Sequence, residues 1–290
     1  MQAGNDQLTS QRWQPLFGAE DAQIFPLIRK IDVISSNSYL IATGDVLILI
    51  DPGGLPEQAE TLAKVIQTCR EEKDRPVFVI LTHAHVDHFL GVQLVPAFAH
   101  SGAAIFAVQE HGARALEQGD CTITQGDLFS LVVSPMKVAL HLLTPERAAC
   151  PGAPCQLAFP NSGEITITRD RAGTGDGALE RETIRFGDGP PITVYHTPGH
   201  SPDSICIAMG SLLFCGDILF AASPGIAGIA GWSQEDLVRS LSGIENLVRE
   251  GTITMVCPGH GRVIPAANAL QMIAAVRADS IALENIAEFN

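Results

Sequence analysis

The stretch VFVILTHAHVDHFLGV, residues 77–92, limits this chain more than any other. An apolar, strand-like run from Val77 to Leu81 stops at Thr82, and His83, His85, Asp87 and His88 then arrive within six residues. A strand end followed by a tight loop aims short side chains at one point. Buried together and unpaired, such groups would each cost about 1–3 kcal/mol. A divalent cation removes that cost, because imidazole nitrogen and carboxylate oxygen are donors that zinc and iron accept.

The setting recurs three times. YHTPGHSPDS places His200 in a Gly-Pro turn after a strand ending at His196. LLFCGDILF places Asp217 after Leu212–Cys215, and ITMVCPGHGR places His260 after Ile253–Cys257. Each donor follows an apolar strand and lies close to Gly, so all can gather along one edge of a layered sheet, where sites collect. Thr82 and Asp51 are candidates to stand behind the ligating imidazoles and fix their tautomers. His100, His111, His141 and His196 lack the pattern and are expected to be surface or structural.

Strands alternate with helices along most of the chain, which indicates α/β layers. Strands are expected through residues 23–51, with a turn at Thr43-Gly44-Asp45, and helices over Pro56–Lys73 and Phe89–Phe98. A strand over Ala103–Val108 and a helix over Gln109–Gln118 follow. From about 120 to 191 the periodicity blurs. This region is expected to be an elaborated insertion, with strands at Lys137–Leu143 and Glu164–Thr168 and a polar Gly-rich loop at Arg169–Glu180. Order returns at Ile192. SQED at 233–236 starts a helix with Leu237, Leu241, Ile244 and Val248 on one face. A terminal helix is expected at about 265–289, in a single domain covering 1–290.

A net charge of −14 without a Lys/Arg cluster disfavours nucleic acid and anionic membranes as partners and leaves a small-molecule substrate. Seven scattered cysteines do not read as a disulfide framework. With no secretion signal and no apolar run near the ~20 residues of a membrane span, a soluble cytoplasmic protein is expected. Gly/Ala-rich loops leave room for a homodimer.

HAHVDH, TPGHS, GDILF and PGHG, in this order, resemble the metallo-β-lactamase superfamily over roughly residues 28–264. The resemblance implies a four-layer αβ/βα sandwich: two mixed β-sheets face to face, helices outside, metals at one edge. It also implies that His83, His85 and His200 hold one divalent ion, that Asp87, His88 and His260 hold a second, and that Asp217 bridges them. Zinc is the first expectation, with iron or manganese as alternatives. Two cations a few Å apart would ionise a water for attack on an electrophilic carbonyl or phosphorus, with Asp87 able to steer it.

Within the superfamily, TPGHS followed by GDILF is most similar to glyoxalase II-like hydrolases, which cleave thioesters. Only thirty residues follow His260, in place of the helical domain that binds glutathione in full-length members. The alternatives are a lactonase, a phosphodiesterase, or a mononuclear-iron persulfide dioxygenase. Lactonases carry a Tyr where Phe220 stands, and the dioxygenases carry Arg and Cys in the loop that here reads AASPGIAGIAGW, residues 221–232. Phe220 and Trp232, at either end of that Gly/Ala-rich stretch, are the candidate substrate contacts.

Overall fold

The computed structural model describes residues 8–95, 98, 104–159, 163–223 and 226–287; His100 lies outside them. The first sheet has seven strands in sequence order: β1 (Gln14–Leu16), β2 (Ala19–Leu27), β3 (Ser38–Ala42), β4 (Leu47–Ile50), β5 (Val77–Ile80), β6 (Ala104–Gln109) and β7 (Leu140–Leu142). β1 to β4 pair antiparallel, and β4 to β7 pair parallel. Parallel strands need crossovers. Helices α1 (Pro56–Glu72), α2 (Val86–Leu94) and α3 (Glu110–Gln118) lie between the successive parallel strands.

After a short helix, α4 (Pro145–Ala148), the chain builds a second sheet of eight strands. These are β8 (Cys155–Phe159), β9 (Gly163–Ala172), β10 (Leu179–Phe186), β11 (Ile192–His196), β12 (Ile205–Met209), β13 (Leu212–Gly216), β14 (Met255–Pro258) and β15 (Ile264–Pro265). All neighbours pair antiparallel except β13 and β14, which are parallel across the helix α5 (Gln234–Arg249). The terminal helix α6 spans Ala266–Ala287.

Strand alternation sorts side chains into three apolar layers. On β4 and β5, Ile48, Ile50, Phe78 and Ile80 enter the core between the sheets, where they join Ile184, Val194, Ile207 and Phe214. Tyr39 meets Phe214 across that core at 4.9 Å between ring centroids, and Phe78 meets Phe186 at 5.0 Å. The alternate residues Leu47, Leu49, Val77 and Val79 pack with Leu62, Ile66, Phe89 and Leu116 of α1–α3. On the outer face of the second sheet, Cys206, Leu213 and Val256 pack with Leu237, Leu241 and Ile244 of α5 and Ile273 of α6. The layers are therefore helix, sheet, sheet, helix, as the motif resemblance implied.

The expected loop at 169–180 is half strand. β9 runs to Ala172 and β10 begins at Leu179, so only the intervening turn is irregular. Its polar composition serves cross-strand pairing: Asp170 sits opposite Arg181 and Arg171 opposite Glu180. The Arg181 Nε to Asp170 Oδ1 distance is 2.7 Å. Opposite charges facing each other stabilise a sheet edge that hydropathy alone reads as loop.

Candidate metal centre

The donors occupy the carboxyl ends of four strands. β5 ends at Ile80, and Leu81 and Thr82 lead into His83; His85 is the N-cap of α2, so Asp87 and His88 ride on its first turn. The helix thus starts three residues before the expected Phe89, because the HAHVDH run itself turns into it. His200 lies in the loop between β11 and β12, Asp217 follows β13, and His260 follows β14.

Two groups of ligand atoms form. His83, His85 and His200 make one; Asp87, His88, Asp217 and His260 make the other. Within each group the atoms lie within 4.8 Å of one another. The rings of His83 and His88, 4.0 Å apart between centroids, join the groups. His85 Nδ1 faces His200 Nε2 at 3.0 Å, and His260 Nε2 lies 3.0 Å from Asp87 Oδ2 and 3.2 Å from Asp217 Oδ2.

The donor set fits a cation on two grounds. His83 Nε2, His88 Nε2, His200 Nδ1 and Asp217 Oδ1 are buried without a hydrogen-bond partner. His88 Nε2 and Asp217 Oδ1 lie 3.4 Å apart without hydrogen-bond geometry. Orphaned polar atoms of this kind are rare in a folded interior. All seven side chains are also of the types that divalent metals take.

The imidazoles are held from behind. Asp51 Oδ2 lies 2.9 Å from His88 Nδ1, which leaves Nε2 facing the cluster. Thr82 donates its hydroxyl to the same Asp51 oxygen at 2.6 Å, and its backbone N–H donates to Asp51 Oδ1 at 2.8 Å. Thr82 Oγ1 also lies 3.2 Å from His83 Nδ1, so that hydroxyl can accept the ring proton. Both residues stand where the sequence reading put them.

Three positioning residues escaped that reading. Gln125 places its side-chain amide 3.0 Å from His85 Nε2. Asp203, fully buried, accepts the N–H of Ala84 at 2.7 Å and steadies the turn between His83 and His85. Buried Asn37 donates to the carbonyls of Pro258 and Gly261 and so brackets His260. SPDS and NSY carry no signal for these contacts, since each spans more than a hundred residues of chain.

Close backbone approach completes the site. A Cβ on Gly259 would stand 2.3 Å from Asp217 Oδ1, and one on Gly199 would stand 2.4 Å from the Cα of Leu237 on α5. Ser233 accepts the N–H of Asp236 and caps α5, and its own N–H donates to Gly199 O at 2.9 Å, so the helix supports the His200 loop.

The two groups differ in charge. Burial, then the neighbouring imidazoles of His88, His85 and His200, holds His83 well below the ordinary histidine value. Burial and the imidazoles of His200 and His88 hold His85 well below it too, and burial lowers His200. In the second group burial opposes the charge on His88, but Asp87, Asp51 and Asp217 raise it well above the ordinary value. His260 is pushed up to about 10, where Asp217 and Asp87 outweigh burial. Asp217, despite its burial, is held well below the usual carboxylate range by His260 and His88.

A cavity of about 400 Å³ lies over the cluster, with His85, Asp87, His200, Asp217 and His260 in its wall. Phe220 lines it. Trp232 is not in that lining; its indole N–H donates to Ala221 O at 2.8 Å, and the ring packs with the α5 layer. Of the histidines set aside in the sequence, His141 pairs with Glu110 and Glu117, and His196 Nε2 lies 3.0 Å from Pro202 O. No helix among the described residues is long and apolar enough to cross a membrane.

A family model described as the metallo-beta-lactamase superfamily matches residues 31–260. The chain is 25% identical over 236 residues to the probable metallo-hydrolase YqgX of Bacillus subtilis (strain 168), covering 79% of this chain and 86% of that protein. It is 33% identical over 109 residues to the thioesterase pkgB of Emericella nidulans, covering 37% of this chain and 31% of that one. The fold is similar to that of the BLEG-1 B3 metallo-beta-lactamase, with a TM-score of 0.54 at 21% identity, covering 85% of this chain and 97% of the other. With the donors gathered on the sandwich edge and the family match spanning most of the sequence, the chain belongs to the metallo-β-lactamase superfamily of metal-dependent hydrolases.

Proposed function

We propose that this chain binds two divalent ions, zinc first with iron or manganese as alternatives, and hydrolyses a thioester or other ester-like carbonyl. The orphaned nitrogens and carboxylate oxygen of His83, His88 and Asp217, all turned into one cluster, carry this reading. His83, His85 and His200 would hold one ion; Asp87, His88 and His260 would hold the other, with Asp217 shared. When bound, the ions supply Lewis acidity that acidifies water and polarises the carbonyl.

The chain's own groups do the rest. Asp51 and Thr82 keep the His88 and His83 rings oriented. Asp87, part-buried and lining the cavity, would steer the attacking water. The partial similarity to a thioesterase supports a thioester among the carbonyl substrates. No Lys or Arg lines the cavity among the described residues, which favours a carbonyl over a phosphodiester.

The test joins metal analysis with a panel of thioester, lactone, phosphodiester and β-lactam probes on protein of known metal content. Close to two ions per chain with carbonyl hydrolysis, lost in both His85→Ala and Asp217→Ala while the fold survives, is the expected result. One iron per chain with oxygen consumption on a persulfide would replace it with the dioxygenase.

A further inference from the structure

Large apolar side chains crowd the mouth of the cavity. Ile31 and Val33 come from the segment between β2 and β3, Leu128 and Phe129 from the turn at 126–129, and Phe220 and Ile229 from the stretch after β13. Ile31 and Val33 are each 71% exposed and Leu128 is 64% exposed. Five of the seven strongly exposed large hydrophobics among the described residues fall in just two segments, 31–34 and 128–132. One such residue in water is ordinary; a cluster at the entrance to a polar site marks a binding surface.

The local structure holds these side chains outward. Asp32, the one charged residue of the lining outside the donor cluster among the described residues, turns its carboxylate back on its own loop. There Oδ1 accepts the Ile34 N–H at 2.9 Å and Oδ2 accepts the Ser35 hydroxyl at 2.8 Å. The N–H of Ser36 donates to Asp87 O, which ties this loop to the helix that carries two of the donors. Leu128 sits in a short 3-10 turn, between Gln125 and Ser130 in left-handed conformations at φ 61° and 55°. The apolar wall and the donor cluster are thus one continuous surface, fixed on both sides.

We propose that the substrate presents an apolar, uncharged acyl group, which lies against Ile31, Val33 and Leu128 while its carbonyl reaches the donor cluster. The inference rests on the hydrolase reading above and names its substrate class. An anionic carrier such as glutathione meets no Lys or Arg in the lining among the described residues, where Arg29 stands behind Asp32 at 4.0 Å, and the chain as a whole carries a net charge of −14. An acyl chain, by contrast, gains from every methylene that leaves water.

The test uses the full-length, metal-loaded protein with N-acetylcysteamine thioesters from acetyl to octanoyl, beside octanoyl-glutathione. kcat/KM is expected to rise about three- to fourfold per methylene over the early members, the gain from burying one CH₂. The uncharged carrier is expected to outperform glutathione. Val33→Asp and Leu128→Asp, both at exposed positions, should flatten that slope chiefly through KM, with metal content and circular dichroism as checks on folding. A flat chain-length profile with measurable acetyl turnover, or a preference for the glutathione carrier, overturns the inference and leaves the hydrolase reading standing. No turnover of any member by protein holding two metals overturns the inference, and removes the hydrolase reading as well if the lactone and β-lactam probes are also left intact.

Discussion

Asp51 Oδ2 lies 2.9 Å from His88 Nδ1 and at the same time accepts the Thr82 hydroxyl at 2.6 Å. One carboxylate oxygen at the end of β4 therefore orients two elements of the donor cluster, the helix-borne His88 and the strand-borne Thr82 behind His83. Asp51 does this from a left-handed backbone conformation, φ 49°, which Asn also tolerates. Asp51→Asn should keep the fold but weaken metal binding by about 10- to 100-fold. Chelator competition measures the affinity, and unchanged binding would show that the charge of Asp51 contributes nothing to the centre.

Gln125 approaches His85 from a segment docked on α2 by three hydrogen bonds: Val86 N–H donates to Thr124 O at 2.9 Å, Gln93 Nε2 donates to Ser134 O at 2.7 Å, and Ser134 N–H donates to Gln93 Oε1 at 3.0 Å. Gln125 Nε2 lies against His85 Nε2, so if His85 ligates through Nδ1 the Gln125 amide must turn over for its oxygen to accept the Nε2–H. Gln125→Ala should lower metal affinity by about tenfold or more, and Gln125→Glu should restore it. Equal losses in both variants would assign Gln125 to packing alone.

Gly259 has no room for a methyl group, since its Cβ would fall 2.3 Å from Asp217 Oδ1 and 2.7 Å from His88 Cε1. Gly259→Ala should displace these donors and cost most of the metal and the activity. Gly44→Ala, whose Cβ would meet nothing within 4 Å, is the matched control. Metal content measured after dialysis separates the two; full loading of the first variant would contradict the packing described here.

His141 links α3 to β7 through Glu110 at 2.9 Å and Glu117 at 3.0 Å. Burial opposes its charge, yet the two carboxylates prevail and raise it above 6.5. The linked stability is fully present below that unfolded value and is lost as pH rises through the folded one. His141→Gln should therefore destabilise the protein more at pH 5.5 than at pH 9. Urea unfolding at the two values checks the sign.

Metal uptake should release protons at pH 7, because His88 is held well above the ordinary value and His260 is pushed up to about 10 before a cation arrives. The two must deprotonate to ligate, so affinity should fall as pH falls. Calorimetry in buffers of different ionisation enthalpy reads the proton count; a count near zero would mean the second group is already neutral.

His83, His85, Asp87 and His88 stood out in the sequence as a dense run after one apolar strand, and His200, Asp217 and His260 because each follows an apolar strand and lies close to glycine, local patterns that need no knowledge of the fold. The layers were legible for the same reason: β4, β5 and β11–β14 are short apolar runs with turn residues between them. The polar strand pair β9–β10 was not, since its stability comes from Asp170 facing Arg181 and Arg171 facing Glu180 across the sheet. Nor was the start of α2, because His85 serves as N-cap without any side-chain hydrogen bond to mark it.

The sequence by itself determined the ligand types, their order and the layered architecture, all of which depend on neighbours a few residues apart. Only the tertiary structure decided which atoms of those ligands face one another, and that Asn37, Gln125 and Asp203 hold them there. It also decided that Phe220 borders the cavity while Trp232 packs away from it. These are contacts between chain segments tens to hundreds of residues apart, and a linear pattern cannot encode a distance that depends on how two sheets close face to face.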